Sequence, residues 1–360
     1  MSQPRREPRA TKPSPPAVET RPAPPEPAAG ARELGWRRLN ILLALAIVAL
    51  LGFAVRSLAP GAFAGLEGAA RDFFTLSISV VIESLPFVFL GILVSVLVQV
   101  WLPPDVLYRR LPANPVLRRL VLSFLGMLMP VCECGNVPMA RGLMLKGLSV
   151  GESMTFLFAA PILNPVTIIT THQAFGWDNG ILAGRLAGGL LIANLVGWLY
   201  SRRGPAGVLK PSFEEACAVE VGRHESGGKV RRSLQLFSRE SNAMMPALFA
   251  GSALAGLIQV AVPREVLVRL GSDPVWSVLA LMALAFIISI CSTVDAFFIL
   301  SFGATFLPGS IVAFLVLGPM LDVKMLALLR TTFTAGTLLR LVLVIGTCSA
   351  VLGVVMNLAG

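Results

Sequence analysis

The chain has 360 residues, of which 55% are hydrophobic and only 14% charged, and a mean hydropathy of +0.76. That is too apolar for a soluble domain of this length, so most of it must lie in lipid. The net charge of +10 does not point to nucleic acid, because the arginines sit in the N-terminal tail and in short clusters beside hydrophobic runs, where they set topology.

Residues 1–35 are Pro-rich and nearly free of large aliphatic side chains, so they cannot bury a core and are expected to be a disordered cytoplasmic tail. Residues 36–60 carry the first apolar run. It follows Arg37 and Arg38 too far into the chain for an ordinary cleaved signal peptide, and it reads as an uncleaved anchor. Further runs of spanning length occur near 73–101, 150–173, 180–200, 241–262, 309–327 and 338–358. Two more, 120–147 and 274–305, are interrupted. In the first, Pro130, Gly135 and Pro138 are expected to break the helix, and the backbone groups they free must be buried in protein or line a cavity.

Charge sets the course of that broken segment. Arg109, Arg110, Arg118 and Arg119 precede it, and Arg141 and Lys146 follow it, so a re-entrant hairpin keeps all six on the positive side. The same rule puts Arg202 inside, Trp177 to Asn179 outside and the N-terminus in the cytoplasm. The hydrophilic stretch 202–237 then reads as a cytoplasmic tether.

The hydrophobic unit occurs twice. Pro86, Gly91, Gln99 and Pro103 have counterparts in Pro246, Gly251, Gln259 and Pro263 at a constant offset. Farther on, Cys132 faces Cys291, Asn136 faces Asp295, and Pro161 to Asn164 faces Pro319 to Asp322. Membrane repeat 1 would occupy 70–201 and membrane repeat 2 238–360. Each holds one span, a broken hairpin and two more spans, an odd number of crossings. The expected fold is therefore an all-α polytopic membrane protein of two inverted repeats, each with a broken or re-entrant helix pair, as in transporters whose solute site lies where discontinuous helices meet.

The sharpest motif is Cys132-Glu133-Cys134-Gly135-Asn136. Two sulfurs on an irregular turn can bind one thiophilic atom, such as trivalent arsenic or a soft metal ion, and Cys291 is a third candidate; buried lone thiols otherwise act as small hydrophobes. The other cysteines, Cys217 and Cys348, have no neighbours that suggest chemistry, and free thiols are expected throughout. Two histidines, His172 and His224, are too few for a His-rich metal site. Asn136, Asn164, Asp295 and Asp322 pair an amide in one half with an acid in the other, and an acid at membrane depth is a functional candidate. For Asp322, helix capping or a salt bridge with Lys324 is the plainer explanation. Glu83 and Asp295 are candidates for proton coupling. Glu240, beside Arg239, could serve likewise or pair with an arginine near the interface. Pro161 to Pro165 would kink its span, and Glu152 fits the first turn of a helix.

The run Pro130-Val-Cys-Glu-Cys-Gly-Asn-Val-Pro138, followed by Gly147, Gly151-Glu152 and Ala160-Pro-Ile-Leu-Asn-Pro165, resembles the signature of the predicted-permease family that includes the organoarsenical exporter ArsP and YraQ. The resemblance covers roughly residues 70 to 358. It implies a multi-spanning inner-membrane permease without a cofactor, and, for ArsP-like members, export of trivalent methylated or aromatic arsenicals through membrane cysteines. That role would fall on Cys132 and Cys134, and on Cys291 by its place in the repeat. Many relatives have no assigned substrate, and the Pro-rich tail is outside the pattern. No nucleotide fingerprint stands out, so a secondary permease of a small molecule is expected rather than an enzyme. The competing readings are a permease for an unrelated solute, a membrane thiol oxidoreductase using Cys132 and Cys134, and a scaffold. A homo-oligomer and a protein partner for the tail stay open.

Overall fold

In a computed structural model, residues 64–101, 111–128, 132–177, 179–202, 204–221, 228–261, 273–303 and 305–359 are described. The expected tail and the anchor at 36–60 fall outside them. The described residues form helices and turns, with one isolated β-bridge between Leu209 and Phe333.

The first half contains α1 (Ala64–Trp101), α2 (Pro115–Leu125), α3 (Glu133–Leu145), α4 (Val150–Ala159), α5 (Pro165–Phe175) and α6 (Ile181–Ser201). A connecting helix α7 (Pro211–Val221) follows. The second half contains α8 (Lys229–Ala261), α9 (Trp276–Ile288), α10 (Asp295–Leu300), α11 (Pro308–Met320), α12 (Val323–Leu329) and α13 (Ala335–Ala359). Among the described residues, five stretches are long and apolar enough to cross a membrane: 68–101, 181–201, 229–260, 308–329 and 335–359. The chain is thus a multi-pass helical membrane protein.

Helix starts follow local sequence. Asn114 accepts a hydrogen bond from Val116 N at 2.9 Å, with Pro115 at the first helical position; Asn164 does the same for Val166 N at 2.9 Å, with Pro165 behind it. In each, the side chain satisfies an orphan backbone donor and proline fills a place that needs none. Ser149 and Glu152 form a reciprocal capping box at α4, so Glu152 serves its helix start. It also takes Arg118 at 3.2 Å.

Two interruptions differ from the sequence reading. Pro130 lies outside the described residues, whereas Gly135 and Pro138, expected to break the helix, lie inside a continuous α3 that starts after its N-cap Cys132 and whose thirteen residues are all buried. Pro138 has no N–H, so the Cys134 carbonyl four residues earlier loses its helical donor without the helix ending. The stretch expected as a plain tether carries α7, with Phe213 only 3% exposed. It is tied down by backbone bonds from Lys210 N to Thr332 O at 2.8 Å and from Thr334 N to Val208 O at 3.0 Å.

The two halves pack alike. In the first, α4 lies against α2, α3 and α6, and α2 touches α6; in the second, α11 lies against α9, α10 and α13, and α9 touches α13. Glycines permit the closest contacts. A Cβ on Gly151 would stand 2.5 Å from Gly197 O, and one on Gly309 would stand 2.1 Å from Gly353 O, so α4 meets α6, and α11 meets α13, backbone to backbone. Between the halves, α3 packs on α12 and α10 on α5, with α6 against α11 and α13.

Candidate solute site

Cys132 is the N-cap of α3, and its carbonyl accepts from Gly135 N at 3.1 Å and Asn136 N at 3.3 Å. Cys291 sits in the same local turn, its carbonyl accepting from Val294 N at 3.0 Å and Asp295 N at 3.1 Å. The Cys132 side chain makes no cap bond and faces the other half. Cys132 Sγ, a Glu133 carboxylate oxygen and Cys291 Sγ all lie within 4.8 Å of one another. Cys134, two residues on in the first turn of α3, is buried beside them. All three thiols are buried, and all five cysteines are free.

Glu133 organises this cluster. One oxygen takes Lys324 Nζ at 3.3 Å; the other takes Ser292 N at 3.4 Å, Ser292 Oγ at 3.2 Å and Cys291 Sγ at 3.7 Å. Glu133 is 0% exposed and Lys324 1%. A lone charge there would cost several kcal/mol, which the ion pair and the accompanying donors offset. Lys324 also donates to Ser289 O at 3.4 Å. Ser289 closes α9 at φ 54°, ψ 42°, a left-handed conformation that costs a non-glycine residue roughly 1–2 kcal/mol and turns its carbonyl toward the ammonium.

The remaining residues singled out in the sequence divide by position. Asp322 is fully buried, caps α12 through Met325 N and lies 4.0 Å from Lys324, which realises both of the plainer explanations for it. Asn164 caps α5 in the matching place. Asn136 is buried, and its Nδ2 has no partner among the described residues. Glu83 stands near the middle of α1, exposed, and close enough to Lys324, Glu133 and the Cys291 backbone to feel them. Asp295 is held by Arg185 through two bonds, at 2.6 and 3.0 Å, and the same guanidinium reaches Thr171 Oγ1 at 2.7 Å. Glu240 pairs not with its neighbour Arg239 but with Arg141, at 2.8 and 3.4 Å. Arg141 further donates to Thr332 Oγ1 at 2.9 Å and lies 4.1 Å over the Phe213 ring.

Sequence reasoning left Glu133 and Arg185 without a role of their own, took Arg141 only as a determinant of topology and took Lys324 only as a partner for Asp322. A signal for two of them was present: Arg185 and Lys324 lie inside apolar runs of spanning length, where a basic side chain is costly without a partner. Chemically, two sulfurs from opposite halves with a carboxylate beside them form a soft donor set suited to a thiophilic atom.

Comparison with known proteins agrees with a membrane permease. The family described as a predicted permease, ArsP_1, matches residues 69–358. A Streptococcus mutans protein named a putative two-component membrane permease complex subunit is 32% identical over 290 residues, covering 81% of this chain and 95% of its own. The Bacillus subtilis UPF0718 protein YcgR is 34% identical over 264 residues, 72% of this chain and 88% of its own. Escherichia coli YraQ is 30% identical over 113 residues, 31% and 32% of the two chains. No solved structure matches the chain significantly. With a helical multi-pass architecture and a family match spanning nearly all of the described residues, the chain belongs to the ArsP_1 predicted-permease family.

Proposed function

We propose that this chain is a secondary permease of two inverted repeats that exports a small thiophilic solute, with trivalent organoarsenicals as the leading class. The observation that carries the reading is the approach of Cys132, Glu133 and Cys291 to within 4.8 Å, from segments far apart in sequence. Cys134, Asn136, Asn164, Asp295 and Asp322 complete the proposed solute site or its frame. Glu83 is the candidate for proton coupling, because it stands beside the cluster and forms no ion pair with a described residue within bonding distance. Asp295 is the second, already engaged by Arg185.

A two-fold repeat is supported by reciprocal packing, and its inversion follows from the odd number of crossings expected in each half. α3 of the first half meets α12 of the second while α5 of the first meets α10 of the second, which is the pattern a pseudo-two-fold axis produces. Cys132 and Cys291, which occupy matching places, approach each other, as do Glu133 and Ser292. Orientation follows from charge. Arg141, Lys146, Arg202, Lys229, Arg231 and Arg330 lie at or near the ends of α3, α6, α8 and α12, and the ends of α3 and α12 meet the connecting segment that carries α7; positive loops favour the cytoplasm. We assign that basic end to the cytoplasmic face of the inner membrane, with the N-terminus on the same side. The streptococcal relative is named as a subunit of a two-component complex, and a second membrane subunit is proposed here as well.

The test is uptake of phenylarsine oxide into everted vesicles at matched protein levels. Cys132→Ser, Cys134→Ser and Cys291→Ser should each abolish it, because a hydroxyl oxygen binds a soft centre poorly. A pentavalent arsenical should be carried by neither wild type nor variants. Equal uptake by wild type and the triple serine variant would end the thiol reading and leave a permease of another solute.

A further inference from the structure

Among the described residues, three buried ion pairs join the two halves, and they differ in position. Glu133–Lys324 lies at the thiol cluster. Arg141–Glu240 lies at the basic end, where Arg141 also grips Thr332 and stacks over Phe213. Arg185–Asp295 lies toward the opposite end, near the first turn of α6 and backed by Thr171 of α5. Arg185 is 0% exposed and Asp295 2%. Burying charge in this way adds little net stability over an apolar packing of the same shape, so a functional reason for the pairs is called for.

Each outer pair is rigidly connected to one sulfur. Arg141 is on α3, the unbroken helix whose N-cap is Cys132. Asp295 begins α10, and its N–H bonds to the Cys291 carbonyl at 3.1 Å. Moving α3 away from Glu240 therefore shifts Cys132, and moving α10 away from Arg185 shifts Cys291. The two-sulfur grip requires both pairs to be closed.

We propose that Arg141–Glu240 and Arg185–Asp295 are the two gates of the permease, each coupled to one thiol, so that opening either gate also withdraws one sulfur from the solute. Export then needs no separate release device. The gate that opens to the outside carries Cys291 with it, and the solute leaves a site reduced to Cys132 and Cys134. On the cytoplasmic side the gate is bolted by α7, since Phe213 lies beneath the Arg141 guanidinium. The proposal rests on the permease reading and on the thiols being its ligands, and its test separates the three.

Single-cysteine proteins retaining Cys132 or Cys291 are labelled with a membrane-impermeant maleimide in right-side-out and everted vesicles. Arg141→Gln should raise labelling of Cys132 from the cytoplasmic face on the order of tenfold, and Arg185→Gln should do the same for Cys291 from the outer face, as expected when a buried group becomes accessible through a more populated open state. Unchanged labelling, or both thiols labelled from the same face, overturns the gates. Arg185→Lys and Arg141→Lys keep the charge and the fold but lose the two-pronged grip; they should give intermediate rates, and wild-type rates in both would count equally against the proposal. Phenylarsine oxide added to wild type should protect Cys132 and Cys291 from labelling. If the sides switch as expected but nothing is protected, the gates stand and the thiol-ligand reading fails.

Discussion

Residues 64–201 and 229–359 make the same architecture and unlike chemistry. Both halves run through a long helix, a broken hairpin, a capped break and a final long helix. Where a position serves packing or backbone satisfaction, the two agree: Gly151 with Gly309, Gly197 with Gly353, the turn at Cys132 with the turn at Cys291, and Asn164 with Asp322 as caps. Where a position faces the other half, they diverge into complements. Glu133 stands opposite Ser292 in the matching place, and Lys324 has an uncharged residue, Val166, as its counterpart. Packing imposes the same limits on each half, whereas a charge at the shared interface needs an opposite charge, and two copies of one acid would repel there.

The strongest way to break this comparison is at the glycines. Gly151→Val and Gly309→Val each drive a side chain into a carbonyl, which at about 3 kcal/mol or more should abolish monodisperse protein in detergent for both. If one is tolerated and the other not, as judged by chromatography and melting, the contacts are not equivalent. Next comes Lys324→Met, which strands Glu133 and should cost about 3–5 kcal/mol. Lys324→Met combined with Glu133→Gln should recover most of the lost melting temperature, and failure to recover would mean that the lysine acts through something other than this pair.

The caps sharpen the comparison at smaller scale. Asp322→Asn keeps an acceptor for Met325 N and should change stability by less than about 1 kcal/mol. Asn164→Asp keeps the acceptor for Val166 N but places a new charge at a buried cap, and should cost more. Similar melting temperatures for the two variants would contradict the divergence of charge described above. The smallest effect concerns the connecting helix. Burial pushes the Cys217 thiol up to about 11, so the thiolate is scarce at neutral pH and alkylation of Cys217 in the folded protein should be slow, rising as pH climbs toward that value. Rapid alkylation at pH 7 would mean that α7 is undocked in solution.

Composition and hydrophobic runs were enough to read a polytopic helical protein from the sequence, because lipid allows few backbone solutions and each must satisfy its own hydrogen bonds. The break at Pro161–Pro165 was also legible, since proline and asparagine act locally. The pairing of charges was decided only by tertiary structure. Arg141 meets Glu240 and Arg185 meets Asp295 across separations of 99 and 110 residues, and nothing local to any of the four chooses its partner. Adjacency suggested Arg239 for Glu240, but successive residues on a helix point in different directions, and Arg141 reaches Glu240 from another helix. The sequence of each segment specifies where it bends and what it carries; which charge it meets is fixed by how the two halves close on one another.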